Sequence, residues 1–531
     1  MFRTAELGQK IPKNEFKQKV PLLRRDLLDA QQQLLKLKKF PVIIVFAGVN
    51  GAGKGETVNL LNEWMDPRWL ITRAYDKPST EELERPEFWR FWRDLPPKGH
   101  VGLFLSSWYS RPLLDRVHGK INDFEFNDLL DRVINFERAL TNDGALVLKF
   151  WMHLSKAAQR TRFKLLEKDP LTSWRVTQED WNNWRIFDQF EETAERIIMR
   201  SSTGEAPWSI VEGEDPNFRS LTVATIIRDE INKKLEALRQ QEHAAVLAKS
   251  AASGPDVVTT RETTAKKSKP ATDSGDSQTM TQLRQSTVLD ALDMNLHLSK
   301  QQYNQQLQQH QAKLNELHRK ALKKKISTIL LFEGPDAAGK GGAIRRVVTA
   351  LDARHCRVIP IAAPTDEEQA NHYLWRFWRH LSRAGKITIF DRSWYGRVLV
   401  ERVEGYAAEN EWRRAYAEIN DFEEQLAESG IVLMKYWIHI TKQEQLDRFN
   451  ARKEIPHKQW KLTDEDWRNR ERWEDYEYAV NDIVEHTSTR LAPWTLVEGN
   501  DKRFARVKVI ESLCNNLEQA LKHHVKSWNR R

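Results

Sequence analysis

Cysteine is nearly absent: the 531 residues include Cys356 and Cys514 and no others. A disulfide framework is thereby excluded, and the composition fits a reducing compartment. Long hydrophobic runs are missing too. No stretch of about 18 apolar residues occurs, and the opening segment MFRTAELGQKIPKNEF lacks the apolar core of a secretory signal. A soluble, cytoplasmic protein with no membrane partner is expected. The excess of one charge sign is small, 84 Lys and Arg against 75 Asp and Glu for a net +9, which permits a polyanionic partner without naming one. Apolar side chains are plentiful at 40% of the residues, enough at this length for the cores of two or more domains. Tryptophan is abundant, with 20 against 10 tyrosines.

The tryptophans recur because the chain is written twice. The string SWY at Ser107–Tyr109 returns at Ser393–Tyr395, an offset of 286. The same offset carries Gly48 onto Gly334, Lys54 onto Lys340, the WRFWR stretch at Trp89 onto that at Trp375, His153 onto His439 and Trp208 onto Trp494. Two tandem domains are expected, residues 1–248 and 286–531. The Ser-, Thr-, Lys-, Ala- and Gly-rich segment 249–285 between them reads as a flexible linker. Each copy opens with a helical pattern (14–39 and 298–325) followed by a short apolar run ending in glycine (41–48 and 327–334), the mark of a buried parallel strand. Further strands are predicted at 386–390 and 431–440, and strands alternating with helices predict a parallel α/β sheet in each copy.

The second copy reads GPDAAGKGG from Gly334, a G-x-x-x-x-G-K core between a predicted strand and a predicted helix. Such a loop turns backbone N–H groups inward around phosphate oxygens at a helix N-terminus, and its lysine neutralises charge as a phosphoryl group moves. Gly334, Gly339 and Lys340 supply these parts. Gly341 follows the lysine, where an ordinary loop of this type has the Ser or Thr that holds magnesium, so the metal needs another ligand, and Asp336 is the nearest oxygen. Asp391 closes the strand KITIF and opens DRSWYGR, the place of a second metal-binding carboxylate. Taken alone Asp391 could be a helix N-cap; beside Asp336 the metal reading prevails.

The combination of GPDAAGKGG, DRSWYGR followed by VERV (Val400–Val403), and HKQWKLTDEDW (457–467) resembles the polyphosphate kinase 2 family over almost the whole of both copies. The tandem form is similar to the family's two-domain members, which move the terminal phosphoryl group of inorganic polyphosphate to AMP and give ADP. The resemblance implies two tandem P-loop kinase-like domains resembling thymidylate kinase, each a parallel sheet flanked by helices with a helical lid. It also implies Mg²⁺ on Asp336 and Asp391, and polyphosphate and AMP as substrates, with no nucleic acid as partner. Single-domain relatives are oligomeric, which implies a homo-oligomer, or a first copy that takes a protomer's place inside one chain. Carried over residue by residue, Asp336, Lys340, Asp391, Arg392 and Arg452 match the catalytic set. Phosphate contacts fall on Gly334, Gly339, Lys340, Gly341, Arg397, Lys453 and Lys458, with Arg448 and Lys461 as further candidates. Trp394, Trp460 and Trp467 are expected to pack between helices.

The first copy departs from this pattern. At the constant offset Asp336 becomes Asn50, Asp391 becomes Leu105, Arg392 becomes Ser106, Arg452 becomes Leu166 and Lys458 becomes Thr172, while Lys54, Trp108, Tyr109 and Arg111 persist. The second copy is therefore expected to be catalytic and the first a packing partner or regulatory binder. Two rivals are an ATP-dependent nucleoside monophosphate kinase, disfavoured by Asp336 with Gly341, and a non-catalytic polyanion-binding module, which would have no use for Asp391.

Overall fold

The computed structural model describes residues 1–252, 287–454 and 462–528. In the first copy the strands are β1 (Val42–Gly48), β2 (Leu70–Ala74), β3 (Val101–Leu105), β4 (Leu146–His153) and β5 (Trp208–Glu212). The second copy repeats them as β6 (Thr328–Glu333), β7 (Cys356–Pro360), β8 (Ile387–Asp391), β9 (Val432–His439) and β10 (Trp494–Glu498). All pairings are parallel, in the orders β2-β3-β1-β4-β5 and β10-β9-β6-β8-β7. The central strands β1 and β6 are buried and apolar over Val42–Phe46 and Ile329–Phe332, as befits a parallel sheet covered on both faces. The predicted leading helices run Lys13–Leu37 and Lys300–Lys323. A helix Pro216–Ala252 carries the first four positions of the expected linker, 249–252. The rest of that linker, along with Lys458, Trp460 and Lys461, lies outside the described residues.

A buried polar cluster fixes the SWY turn to the sheet in both copies. Trp394 Nε1, Tyr395 Oη and Lys435 Nζ donate to the Glu423 carboxylate at 3.0, 2.7 and 2.7 Å. Trp108, Tyr109 and Lys149 do the same to Glu137 at 2.9, 2.8 and 2.7 Å. A charge buried this deeply is tolerable only when it is paired and hydrogen-bonded. Both clusters meet that condition. Trp394 also packs against Phe377, Phe390 and Phe422, as expected of a helix-packing tryptophan.

The copies share one hydrophobic core cluster, which runs from Ile43, Trp92 and Phe136 across to Trp378 and Phe422. At the crossing Trp92 stacks on Trp378, its own counterpart in the repeat, with centroids 5.8 Å apart and planes within 13°. Contact of a residue with its own counterpart is the signature of a twofold relation. Arg132 pairs with Glu428 and Arg414 with Asp143 on either side.

Candidate functional site

The second copy's glycine loop follows β6 directly. Gly334 takes φ +147° and Gly339 φ +112°, values that favour glycine, and a Cβ on Gly334 would be driven into the Ile438 carbonyl oxygen of β9. The loop therefore lies tight against the sheet and delivers Lys340 at the first position of the helix Lys340–Thr349. The ammonium curls back on the loop, donating to the carbonyls of Gly334 at 2.6 Å and Pro335 at 3.3 Å. Burial pulls Lys340 below its ordinary pKa, against the fields of Asp336 and Asp391, which hold its proton on. Gly341 has open space where a side chain would begin.

Asp336 receives Asn469 Nδ2 at 2.9 Å and an Arg392 guanidinium nitrogen at 3.4 Å, and its own carbonyl accepts from Gln445 at 3.1 Å. Asp391 ends β8 level with Phe332 of β6, so register alone sets it beside the loop. Arg392 follows at φ +65°, a left-handed position that a non-glycine residue rarely occupies. Burial pulls its guanidinium pKa down, but the carboxylates of Asp336, Glu333, Glu465 and Asp391 carry it above the usual value. The structure thus brings Gly334, Asp336, Gly339, Lys340, Asp391 and Arg392 together.

The remaining predicted cations sit differently. Arg397 is held by Glu401 at 3.0 Å and lies over the Tyr373 ring. Arg452 is half-buried near Phe449, and its charge acts on Asp466. Lys453 is exposed, with its ammonium over Trp467. Arg448 is fully committed elsewhere: it is buried and donates to the carbonyls of Ala337, Ala338, Gly499 and Asn500 and to Glu444, so it braces the loop rather than waiting for phosphate.

Three features escaped the sequence reading. Glu333, the last residue of β6, is a buried acid whose carboxylate takes the Ser393 hydroxyl at 2.8 Å and faces Lys340 and Arg392. Burial raises its pKa, against the pull of Lys340. The signal was available in the repeat, since its counterpart is Ala47. Asp466 is pushed up by burial and by the facing Asp336. It has the same identity in the first copy, Asp180, and so gave no contrast. The third is a cleft running from Gly334, Asp336 and Arg392 to an aromatic wall of Trp437, Trp473 and Tyr476. One end carries the charged groups of the loop and the other is largely apolar, a form that suits a phosphate joined to a flat ring system.

The donor set fits Mg²⁺, a hard cation that takes oxygen ligands and is commonly held by one or two carboxylates plus substrate phosphates. Among the described residues the acids around the loop do not converge as a group of three ligand atoms; the grouping that does is Glu6, His153 and Glu191 in the first copy, where His153 Nε2 already lies 2.8 Å from Glu6. An ion at the loop would thus be completed by phosphate oxygens.

The first copy satisfies its loop internally. Lys54 donates to the carbonyls of Gly48 and Val49 at 2.7 and 2.9 Å, and burial pushes it down to about 8, with only Asp180 opposing. Asn50 gives its amide to Asp180 at 2.8 Å. Glu56, in the first turn of the loop helix, is paired with Arg162, Arg175 and Arg219 at 2.7, 3.3 and 2.8 Å. Phe2 stacks flat on His153 at 4.5 Å, where the second copy's equivalent segment places the smaller Leu289 on the cleft wall. The charged groups around this loop are thus paired with one another, and Phe2 covers His153.

The family model described as Polyphosphate kinase 2 matches residues 10–239 and again 297–525. The chain is 48% identical over 525 residues to a polyphosphate:AMP phosphotransferase of Pseudomonas aeruginosa, covering 98% of this chain and 99% of that protein. It is 36% identical to a polyphosphate:AMP phosphotransferase of Acinetobacter johnsonii over 93% of this chain and 96% of that one. A Pseudomonas aeruginosa PA01 protein whose crystal structure is described as a polyphosphate kinase 2 superposes with a TM-score of 0.83 at 45% identity, covering 98% of this chain and 99% of that chain.

Proposed function

The chain belongs to the polyphosphate kinase 2 family, and from that premise we propose a division of labour between its copies. The protein transfers the terminal phosphoryl group of inorganic polyphosphate to AMP, giving ADP, and the second copy does the chemistry. The observation that carries this assignment is the gathering of Lys340, Arg392, Asp336 and Asp391 around one loop, with none of the latter three present in the first copy.

Phosphoryl transfer needs little covalent help and much charge placement. The loop amides from Gly334 to Lys340 cradle the donor's terminal phosphate. Lys340 swings its ammonium from the carbonyls of Gly334 and Pro335 onto the phosphoryl oxygens, and Arg392 neutralises charge from the β8 side. Asp336 and Asp391 would hold Mg²⁺, which when bound would offset the negative charge of the donor's phosphates. AMP lies in the cleft with its phosphate toward Arg392 and its base against Trp437, Trp473 and Tyr476. Arg452 and Lys453, on the helix Lys442–Glu454, meet the rest of the donor chain. The first copy contributes the wall on which the catalytic copy's Trp378 face is buried, the place a second subunit would hold. Association of whole chains into a homo-oligomer, expected from the family, uses other faces. Among the described residues no helix is long and apolar enough to cross a membrane. With two free thiols, the protein is suited to the cytoplasm.

The test is purified protein with Mg²⁺, AMP and either long-chain polyphosphate or ATP, with the nucleotides separated afterwards. ADP should form with polyphosphate as donor. Formation of ADP with ATP but not with polyphosphate would overturn the proposal.

A further inference from the structure

The two copies act as each other's control for Glu333. Its carboxylate receives Ser393 Oγ, which in turn accepts the Tyr395 backbone N–H at 3.3 Å, so the acid could be taken for a brace of the turn after β8. The first copy shows that the turn does not need it. There Ala47 stands in place of Glu333, yet Ser107 still accepts the Tyr109 N–H at 3.4 Å, and Ser106 keeps the left-handed φ of +54° that Arg392 has at +65°. A buried acid with a purely structural task survives in both copies, as Glu137 and Glu423 do with identical partners. Glu333 was lost instead together with the acids at 336 and 391 and the arginine at 392.

Its surroundings say why. Glu333 lines the wall of the cleft beside Gly334, Asp336 and Arg392 and is 4% exposed, and its charge acts on both Lys340 and Arg392. Asp336 and Asp391 alone would balance those two cations. Glu333 tips the set to net negative, which is unfavourable next to a phosphate chain unless a cation stands between them. Keeping an acid buried there also costs folding free energy, and the copy without chemistry dispenses with it.

We infer that Glu333 is a third acid of the divalent-cation site, a positioning residue that sets the affinity for the cation through its charge without touching the transferred phosphoryl group. This rests on the metal assignment to Asp336 and Asp391 made above. Outer partners of a metal site are typically worth about 10- to 100-fold in affinity.

The experiment is Mn²⁺ binding followed by electron paramagnetic resonance on the full chain with saturating tripolyphosphate and no acceptor, for wild type, Asp336→Asn, Glu333→Gln and Glu333→Ala. Glutamine keeps an oxygen for Ser393 and removes only the charge. Glu333→Gln should bind Mn²⁺ about tenfold more weakly, Glu333→Ala at least as weakly, and Asp336→Asn weakest. The half-saturating Mg²⁺ for turnover should rise in parallel in Glu333→Gln while the KM for AMP stays put. Metal-free Glu333→Gln should melt no lower than wild type. Wild-type affinity in Glu333→Gln, with binding lost in Asp336→Asn, would overturn the role of Glu333 and leave the metal assignment standing. Failure of wild type itself to bind Mn²⁺ would overturn both.

Discussion

Replacing the two loop lysines one at a time tests the proposed division of labour between the two loops. Lys340→Ala removes an ammonium that reaches the carbonyls of Gly334 and Pro335 and lies in the fields of Asp336 and Asp391. A unit charge about 4 Å from a developing charge is worth roughly 4 kcal/mol at the effective dielectric of about 20 that suits protein sites. Only part of a unit develops on the moving group, so about 3 kcal/mol is a sober figure, or about a hundredfold in turnover. Lys54→Ala removes the matching ammonium where Asn50, Leu105 and Ser106 replace the charged partners and Glu56 is already held by three arginines. Its cost is two loop hydrogen bonds, about 1 kcal/mol each in stability, with turnover within about twofold of wild type. The assay is ADP formation from AMP and long-chain polyphosphate at saturating Mg²⁺, beside circular dichroism to show both variants folded. A folded Lys340→Ala retaining more than about a tenth of wild-type turnover, against the hundredfold worked out above, would remove the lysine from the mechanism. A folded Lys54→Ala that had lost transfer would show the first copy to be catalytic.

Gly334→Ala should abolish turnover by forcing the loop off the Ile438 carbonyl, at the same time straining φ +147°, and a near-wild-type rate would refute the tight seating of the loop on β9. Asp421, half-buried near Glu424 and Arg138, is pushed up to about 6 by burial. Its folded pKa therefore exceeds its unfolded one, and the stability of the protonated form is lost as pH rises from about 4 to 6. Asp421→Asn should accordingly melt higher than wild type above pH 6 and alike below pH 4, by at most about 3 kcal/mol and less after screening at its exposed edge; a gain that did not depend on pH would refute the cause. Added monovalent salt should raise the KM for polyphosphate steeply and that for AMP little, because a linear polyanion releases condensed ions on binding several cations. Arg452→Gln should flatten the polyphosphate slope, and equal slopes for both substrates would count against a multi-contact phosphate channel.

Much of the fold was legible because its determinants are local. Apolar runs ending in glycine at 48 and 334 located β1 and β6, and the runs at 386–390 and 431–440 located β8 and β9 and, through the offset, β3 and β4, whereas the short edge strands β2, β5, β7 and β10 were not read. Asp336, Lys340 and Asp391 were legible because their motif fixes their spacing from strand ends. Arg448 misled, since its charge in a basic run looks like its neighbours' and only the three-dimensional course of the loop reveals four carbonyls around it. Asn469 and the aromatic wall of the cleft were invisible for a related reason: they come from helices far along the chain and meet the loop only through packing. The seating of Trp92 on Trp378 could not be read at all, because the repeat says that two surfaces are alike and not that they touch.

The loop of the first copy is charge-compensated within its own fold rather than simply stripped of charge. An empty anion seat that kept Lys54 and the cations of the neighbouring helices would leave positive charges facing one another across a low-dielectric gap, a costly arrangement. Glu56, which stands where the second copy has Gly342, answers that problem by placing a carboxylate at the loop helix among Arg162, Arg175 and Arg219. The carboxylate is thereby committed to three arginines of its own copy. The copy's outer face obeys a different constraint. Trp92, Arg132 and Asp143 are tied to Trp378, Glu428 and Arg414 of the second copy, and any change there is felt by both halves through the shared core.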